Sequence, residues 1–202
     1  FDSIITVTGT KGKTTTVHVI EDVLRHLNLH TIKVDTTGHF VNGVRQSTLD
    51  DSRRTWRLVP TVCPGRYLWE IHGNPELVDG VAVFEAALSS STSSGLGYRN
   101  HKVGVFLNVF EDHIGSSDRI QSKDDIVRAK DFVFQRIKPG GWAVFNADDE
   151  YVAKALDKIP DSVNKLPVGF AFSHFDVGAH LRSGGVAITV DESGSQIVLL
   201  KS

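Results

Sequence analysis

A glycine-rich turn between a strand pattern and a helix pattern opens this sequence and leaves few folds available to it. Residues Val7-Thr8-Gly9-Thr10-Lys11-Gly12-Lys13-Thr14-Thr15 contain the G-x-x-G-K-[ST] core of a phosphate-binding loop. Ile4-Ile5-Thr6-Val7, just before it, is a β-branched run suited to a buried parallel strand. After it, Thr14 to Leu27 repeats Val17, Ile20, Leu24 and Leu27 at three- and four-residue spacing, which predicts an amphipathic helix. The glycines therefore fall at a strand-to-helix turn, where Gly9 and Gly12 let backbone N–H groups close around phosphate oxygens. In that setting Lys13 places a cation on the outer phosphates and the Thr14 hydroxyl can ligate Mg²⁺. The spacing is a variant, because Gly9 stands closer to Gly12 than the first glycine of the full Walker pattern would.

Composition narrows what such a site can serve. With 202 residues and 40% apolar content, the chain can bury one large core, or one domain with an appendage. A formal net charge of -2, spread over interspersed acids and bases, argues against a nucleic-acid partner held by bulk electrostatics. Cys63 is the lone cysteine, so an internal disulfide framework and Cys-rich zinc sites are excluded. No long apolar span or signal sequence points to a membrane, and a reducing, cytoplasmic setting fits. The sequence begins at Phe1, almost at the first strand, and stops two residues after the strand-like Ile197-Val198-Leu199-Leu200, which reads as a piece of a larger protein.

Further strand patterns alternate with helix patterns along the chain. Thr31-Ile32-Lys33-Val34-Asp35 reads as a second strand and Thr36-Thr37-Gly38-His39 as a loop that would sit beside the phosphates. Val41 to Arg57 reads as a polar surface excursion with a turn at Asn42-Gly43 and a charged run, Asp50 to Arg54, to which no chemistry is assigned. Pro64 to Ile71 can start a helix, stopped by Gly73-Asn74-Pro75. Val81-Ala82-Val83-Phe84 suits a strand covered on both faces and delivers Glu85 to its carboxyl end, where ligands bind in open parallel sheets. Glu85 is thus a candidate for metal or water chemistry, or else a helix cap or solvent-facing acid. Leu88 to Gly97 is a serine- and glycine-rich loop.

Val103 to Leu107 repeats the buried-strand pattern and exits through Asn108-Val109-Phe110-Glu111-Asp112-His113, so acids and His113 reach the same edge. Ser122-Lys123-Asp124-Asp125 has capping-box spacing and opens a helix expected to run to Ile137, before Pro139-Gly140-Gly141 stops it. Ile126, Ala129, Val133 and Ile137 form its apolar stripe, and Lys130 falls within that stripe. A lysine there either snorkels to solvent or meets an anion. Trp142 to Phe145 is another strand, and Asn146-Ala147-Asp148-Asp149 can cap a helix from Glu150 to Ile159. Val168 to Phe172 reads as a strand, and Val186 to Val190 with Gln196 to Leu200 as a hairpin. The alternation implies an α/β fold with a mostly parallel sheet, helices on both faces and a small C-terminal antiparallel hairpin.

Four pieces in order, Gly9 to Thr15, Glu85, Asn108 through His113, and Asn146 to Asp149, resemble the central ATP-binding domain of the Mur ligase superfamily. Val7 to Thr16, Gly95-Leu96-Gly97-Tyr98, Asn108 to Gly115 and Gly141 to Asp149 are similar to its cyanophycin-synthetase-like branch, and the likeness spans nearly the whole chain. The resemblance implies a P-loop NTPase-like three-layer sandwich and an ADP-forming ligase that uses ATP and Mg²⁺ to join a carboxylate acceptor to an amine. It implies that Thr14 and Glu85 hold one Mg²⁺, that His113 helps hold a second, and that Lys130 is carbamylated beside that metal. Phosphates would lie on Gly9 to Thr15, and Asn146 would approach the adenine. Residues 1–202 would be the central domain, with 175–202 leading toward a further C-terminal domain, and self-association is left open. Two departures stand out: Lys11 stands where asparagine is common, which adds charge to the loop without removing any needed group, and Leu88 to Ser94 is serine-rich where the cyanophycin-synthetase branch carries glycine and arginine, which leaves the substrate open. A plain P-loop kinase or nucleotide-binding module without ligase activity is the alternative; a GTPase is disfavoured because no Asn-Lys-x-Asp motif is present.

Overall fold

The computed structural model describes residues 3–46, 61, 63–70, 79–90, 92, 95–112, 114, 115 and 117–202. Its strands are β1 (Ser3–Thr8), β2 (Thr31–Asp35), β3 (Gly38–Val41), β4 (Val44–Arg45), β5 (Val81–Glu85), β6 (His101–Phe106), β7 (Ile137–Asn146), β8 (Asn164–Val168), β9 (Val186–Val190) and β10 (Ile197–Lys201). Its helices are α1 (Lys13–His26), α2 (Tyr67–Glu70), α3 (Lys123–Lys130), α4 (Phe132–Gln135), α5 (Glu150–Ala153) and α6 (Val177–Arg182). The ten strands form one sheet in the order β10-β9-β8-β7-β6-β1-β5-β2-β3-β4, parallel from β9 through β2 and antiparallel at both edges.

Strand alternation sorts the side chains onto the two faces of the sheet, in three clusters among the described residues, one of them Ile4, Ile32, Val34, Tyr67, Ala82 and Phe84. Val7, Val83 and Val105 pack with Val17 of α1 on one face of the sheet. On the other face Phe106 and Phe145 pack with Ile126 of α3, Val133 and Phe134 of α4 and Val152 of α5. Burying each such phenylalanine contributes about 1.5–3 kcal/mol. The strand order explains the asymmetry. The crossover from β1 to β2 steps one way along the sheet and those from β5 through β8 step the other, so right-handed connections set α1 apart from α3, α4 and α5. On the α1 side, beyond β1, an apolar hollow of about 330 Å³ is lined by Ile20, Val103, Val144 and Val168. The expected C-terminal hairpin, β9 and β10, joins the same sheet, because β9 pairs in parallel with β8 at Val168 and Ile188.

Several expected boundaries move, each for a tertiary reason. The helix opened by Ser122, whose hydroxyl accepts from Asp125 N, ends at Lys130, and α4 ends at Gln135. Ile137 is instead the first residue of β7, paired with His101, and a register shift between His101 and Val103 accommodates Pro139-Gly140-Gly141 inside the strand. The strand expected at Val168 to Phe172 lies earlier, at Asn164–Val168. The Asp148 carboxylate accepts from the N–H groups of Phe170, Ala171 and Ser173, and so gathers residues 169–173 into a loop. Only Thr36 and Thr37 of the expected Thr36-to-His39 loop form the turn, since Gly38 already pairs with Asp35 across β2 and β3. The helix from Glu150 shortens to α5 plus a 3₁₀ turn at Leu156–Lys158, and α6 was not foreseen. Pro64–Arg66 is a 3₁₀ turn leading into α2. The stop at Gly73-Asn74-Pro75 and the run Asp50 to Arg54 lie outside the described residues. Part of Leu88 to Gly97 is helical, and Ser90 is buried there with its hydroxyl donating to the Thr61 carbonyl. Among the described residues no helix is long and apolar enough to cross a membrane.

Candidate nucleotide and cation site

The loop from Gly9 to Gly12 joins the carboxyl end of β1 to the amino end of α1 and needs its glycines. Gly9 has φ +146°, and a Cβ there would stand 3.0 Å from Leu107 Cβ and 3.2 Å from Asn108 N. Gly12, at φ +81°, is the N-cap of α1 and has no side chain to compete for the helix's first N–H groups. Those groups lack intrahelical acceptors and carry the positive end of the helix dipole, which suits an anion. Asn108 clamps the loop from the end of β6. Its Oδ1 accepts from Thr10 N at 3.1 Å and Lys11 N at 2.9 Å, while its Nδ2 donates to Lys11 O at 3.2 Å. Thr10 Oγ1 accepts from Phe110 N at 3.1 Å, and Lys11 Nζ pairs with Asp112 Oδ2 at 2.7 Å. Thr15, exposed on the first turn of α1, follows the cradle.

Lys13 donates from Nζ to the Thr10 carbonyl at 3.0 Å. Burial lowers its pKa, against the opposing pull of Glu85 and Asp112, so the ammonium lacks full solvation and is primed for an anionic ligand. Thr14 donates from Oγ1 to Glu85 Oε2 at 2.7 Å, and Glu85 is 2% exposed at the end of β5. Thr36 closes the group: its N–H lies 3.4 Å from the same Glu85 oxygen and its hydroxyl 3.3 Å from that of Thr14. Lys130 ends α3 at 3% exposure, and its Nζ lies 3.4 Å from Thr8 Oγ1, itself donating to Ala86 O. Burial first, then the Lys13 cation, brings the Lys130 pKa down to about 7, against the opposing pull of Glu85 and Asp112. Gly9, Lys13, Thr36, Glu85, Asp112 and Lys130 line one pocket of about 170 Å³.

The structure thus brings together Lys13 and Thr14 of α1, Glu85 of β5 and Lys130 of α3, three separate elements, and it settles that Lys130 faces inward. His113 lies outside the described residues. Asn146 stands apart from the pocket, at the end of β7; its Oδ1 accepts from Asp148 N at 3.0 Å and it borders a mostly apolar hollow of about 390 Å³ with Val168, Phe170 and Ile188. The individual parts of Thr8, Thr36 and Asn108 were not legible in the sequence. Thr36 had one signal, its place just after a strand that ends at the ligand edge.

Among the described residues no three His, Cys, Asp or Glu side chains gather to hold an ion. A Mg²⁺ does not require that. It takes one or two oxygen ligands from protein and completes its shell with phosphate oxygens and water. The Thr14 hydroxyl and the Glu85 carboxylate, already 2.7 Å apart, fit this donor set.

Fold and site together define an α/β domain with a mostly parallel sheet, a glycine-rich loop at the carboxyl edge of that sheet and a buried acid beside the loop. The Mur ligase middle domain family matches residues 74–201, and the chain belongs to that family. It is 30% identical over 202 residues to cyanophycin synthetase of Trichormus variabilis, covering 96% of this chain and 20% of that protein. Among solved structures, UDP-N-acetylmuramoyl-L-alanyl-D-glutamate-2,6-diaminopimelate ligase superposes with a TM-score of 0.65 at 20% identity, covering 99% of this chain and 37% of that one. E. coli FolC in complex with ADP superposes with a TM-score of 0.62 at 14% identity, covering 99% and 47%. These two share the fold. The chain therefore spans a fifth of the length of the curated relatives it matches at 30% identity.

Proposed function

We propose that this chain is the ATP-binding domain of an ADP-forming carboxylate–amine ligase that passes through an acyl phosphate. A carboxylate oxygen of the acceptor attacks the γ-phosphorus of ATP and ADP leaves. The amine nitrogen then attacks the acyl carbon, forms the amide, expels phosphate and loses a proton. The observation that carries this reading is the convergence of Lys13, Glu85 and Lys130 at one pocket beside the glycine loop, with Thr14 hydrogen-bonded to Glu85. Phosphoryl transfer depends mainly on positioning and charge neutralisation, and these groups provide both. The loop from Gly9 to Thr15 holds the phosphates, Lys13 neutralises outer-phosphate charge, and Asn146 lies toward the base. Thr14 and Glu85 would hold Mg²⁺, which supplies Lewis-acid neutralisation of the phosphates when bound.

Lys130 has a second part in this proposal. With a pKa of about 7, a large share of its amine is neutral at neutral pH and able to add CO₂, forming an N–C bond and releasing one proton to water, which yields an anionic carbamate next to Glu85 and Lys13. The name of a 24%-identical relative, UDP-N-acetylmuramoylalanine–D-glutamate ligase, favours an amino-acid amine and an amino-acid-derived carboxylate. A cytoplasmic site of action and flanking domains that bring the second substrate and exclude water belong to the same proposal.

The test is ADP release by the longer protein across panels of carboxylates and amines. Release that requires one member of each panel is the expected result, and release indifferent to both would contradict the ligase reading. Lys13→Ala should abolish nucleotide binding while circular-dichroism melting stays at the wild-type midpoint, since a lysine acts here as a point charge on phosphate.

A further inference from the structure

The face of β2 that meets α1 carries charges where its neighbours carry valines. On β1 and β5 the helix rests on Val7 and Val83, both fully buried. On β2 it meets Lys33 and Asp35, at 3% and 0% side-chain exposure, together with Glu21 of α1 at 2%. Lys33 Nζ lies 3.2 Å from Glu21 Oε2, 3.5 Å from Asp35 Oδ2 and 3.9 Å above the centre of the Phe40 ring. His18 of α1 bridges the group. Its Nε2 lies 2.8 Å from Asp35 Oδ2, a close ion-pair contact without hydrogen-bond alignment, and its Nδ1 lies 3.0 Å from Lys33 Nζ. Thr31 donates its hydroxyl to Glu21 Oε1 at 3.2 Å.

Adhesion of α1 to the sheet does not need this network. Burying three charges costs more desolvation than valines would, and well-packed apolar replacements of buried ion pairs are commonly neutral or stabilising. The network does reach the site, by a short route. The second oxygen of Asp35, Oδ1, accepts from Thr37 N at 2.7 Å and from Thr37 Oγ1 at 2.5 Å. That fixes the two-residue turn in which Thr36 stands, and Thr36 touches both Thr14 and Glu85. One end of the network is thus anchored on the helix that begins with Lys13 and Thr14, and the other on the strand that delivers Thr36.

We infer that Asp35 and Thr37 are positioning residues for the cation site: held by Lys33, Glu21 and His18, they set Thr36 against Thr14 and Glu85 and so fix the spacing of the Thr14–Glu85 pair. The inference rests on the nucleotide-site reading above. Neither residue needs to touch a ligand, and the effect should fall on metal affinity more than on nucleotide affinity.

The test compares wild type, Thr37→Val and Thr37→Ser in the longer protein. Mn²⁺ binding is followed by electron paramagnetic resonance in the presence of ATP, and ATP binding without metal by titration. Valine keeps the shape and removes the hydroxyl, whereas serine keeps the hydroxyl. Thr37→Val should weaken Mn²⁺ affinity by about tenfold, the scale on which partners of metal ligands act. Thr37→Ser should restore wild-type affinity, with metal-free ATP binding and melting midpoint unchanged in both. Wild-type Mn²⁺ affinity in Thr37→Val overturns the inference alone, as does an equal loss of metal-free ATP binding. Wild-type protein that binds neither ATP nor Mn²⁺ overturns the nucleotide-site reading as well.

Discussion

Lys130 shows how one side chain can be both a stability burden and a chemical resource. Its pKa is about 7 in the folded protein against an ordinary 10.5, because burial penalises the cation. Between those values the unfolded chain holds a proton that the folded one lacks, so stability rises with pH across that window. Below about 7 both forms are protonated and the full penalty stands; above 10.5 neither is and the penalty is gone. Lys130→Met should therefore raise the urea midpoint of the metal-free protein most at and below the lower limit, with a gain that shrinks toward the upper. An equal gain at both ends would show that the amine is not desolvated. In the longer protein, Lys130→Ala should lose ligase activity and regain part of it with added acetate, whose two oxygens replace those of a carbamate. Full activity without acetate would remove the carbamate from the proposal.

Among the elements, the short α5 and the exit loop of β6 depend on a single acid. Asp149 Oδ1 accepts from Tyr151 N and Val152 N, each at 2.9 Å, and Oδ2 accepts from Val109 N at 2.9 Å. One carboxylate thereby caps the helix after β7 and ties it to the loop whose Asn108 clamps the glycine loop at Thr10 and Lys11. Losing the cap costs about 1 kcal/mol, and the stranded Val109 N–H adds about 1–3 kcal/mol. Asp149→Ala should therefore lower the unfolding free energy by a few kcal/mol in urea titration, and Asp149→Asn by less. The loop itself makes a sharper demand. At φ +146° and 3.0 Å from Leu107 Cβ, an alanine at position 9 is both strained and crowded, so Gly9→Ala should weaken ATP binding as well as stability. Undiminished ATP affinity in that variant would mean that the cradle does not depend on this backbone.

For the whole molecule, helices that segregate by crossover direction leave apolar side chains of β10 in solvent. Ile197 is 81% exposed and Leu199 52% exposed on the outermost strand, and Phe170 nearby is 81% exposed. An apolar edge strand is a template for association. Replacing Ile197 and Leu199 together by lysine should raise the concentration at which residues 1–202 stay monomeric in sedimentation, with little change in melting midpoint. Unchanged association would place the sticky surface elsewhere.

Much of this was readable from local pattern. The glycine loop, the strands that end at Glu85, Asn108 and Asn146, the Ser122 cap and the inward face of Lys130 all follow from periodicity and turn chemistry, terms that act within a few residues. The boundaries at Ile137 and Val168 were not readable, because pairing with His101 and capture of a loop by Asp148 outweighed local preference. The site's contacts also lay beyond local reach. Thr14 meets Glu85 across 71 residues and Lys130 meets Thr8 across 122. By itself the sequence determined which groups arrive at the carboxyl edge of the sheet. Only the tertiary structure decided which of them touch, since strand order, a global property of the packed sheet, sets the distances between groups that no local pattern relates.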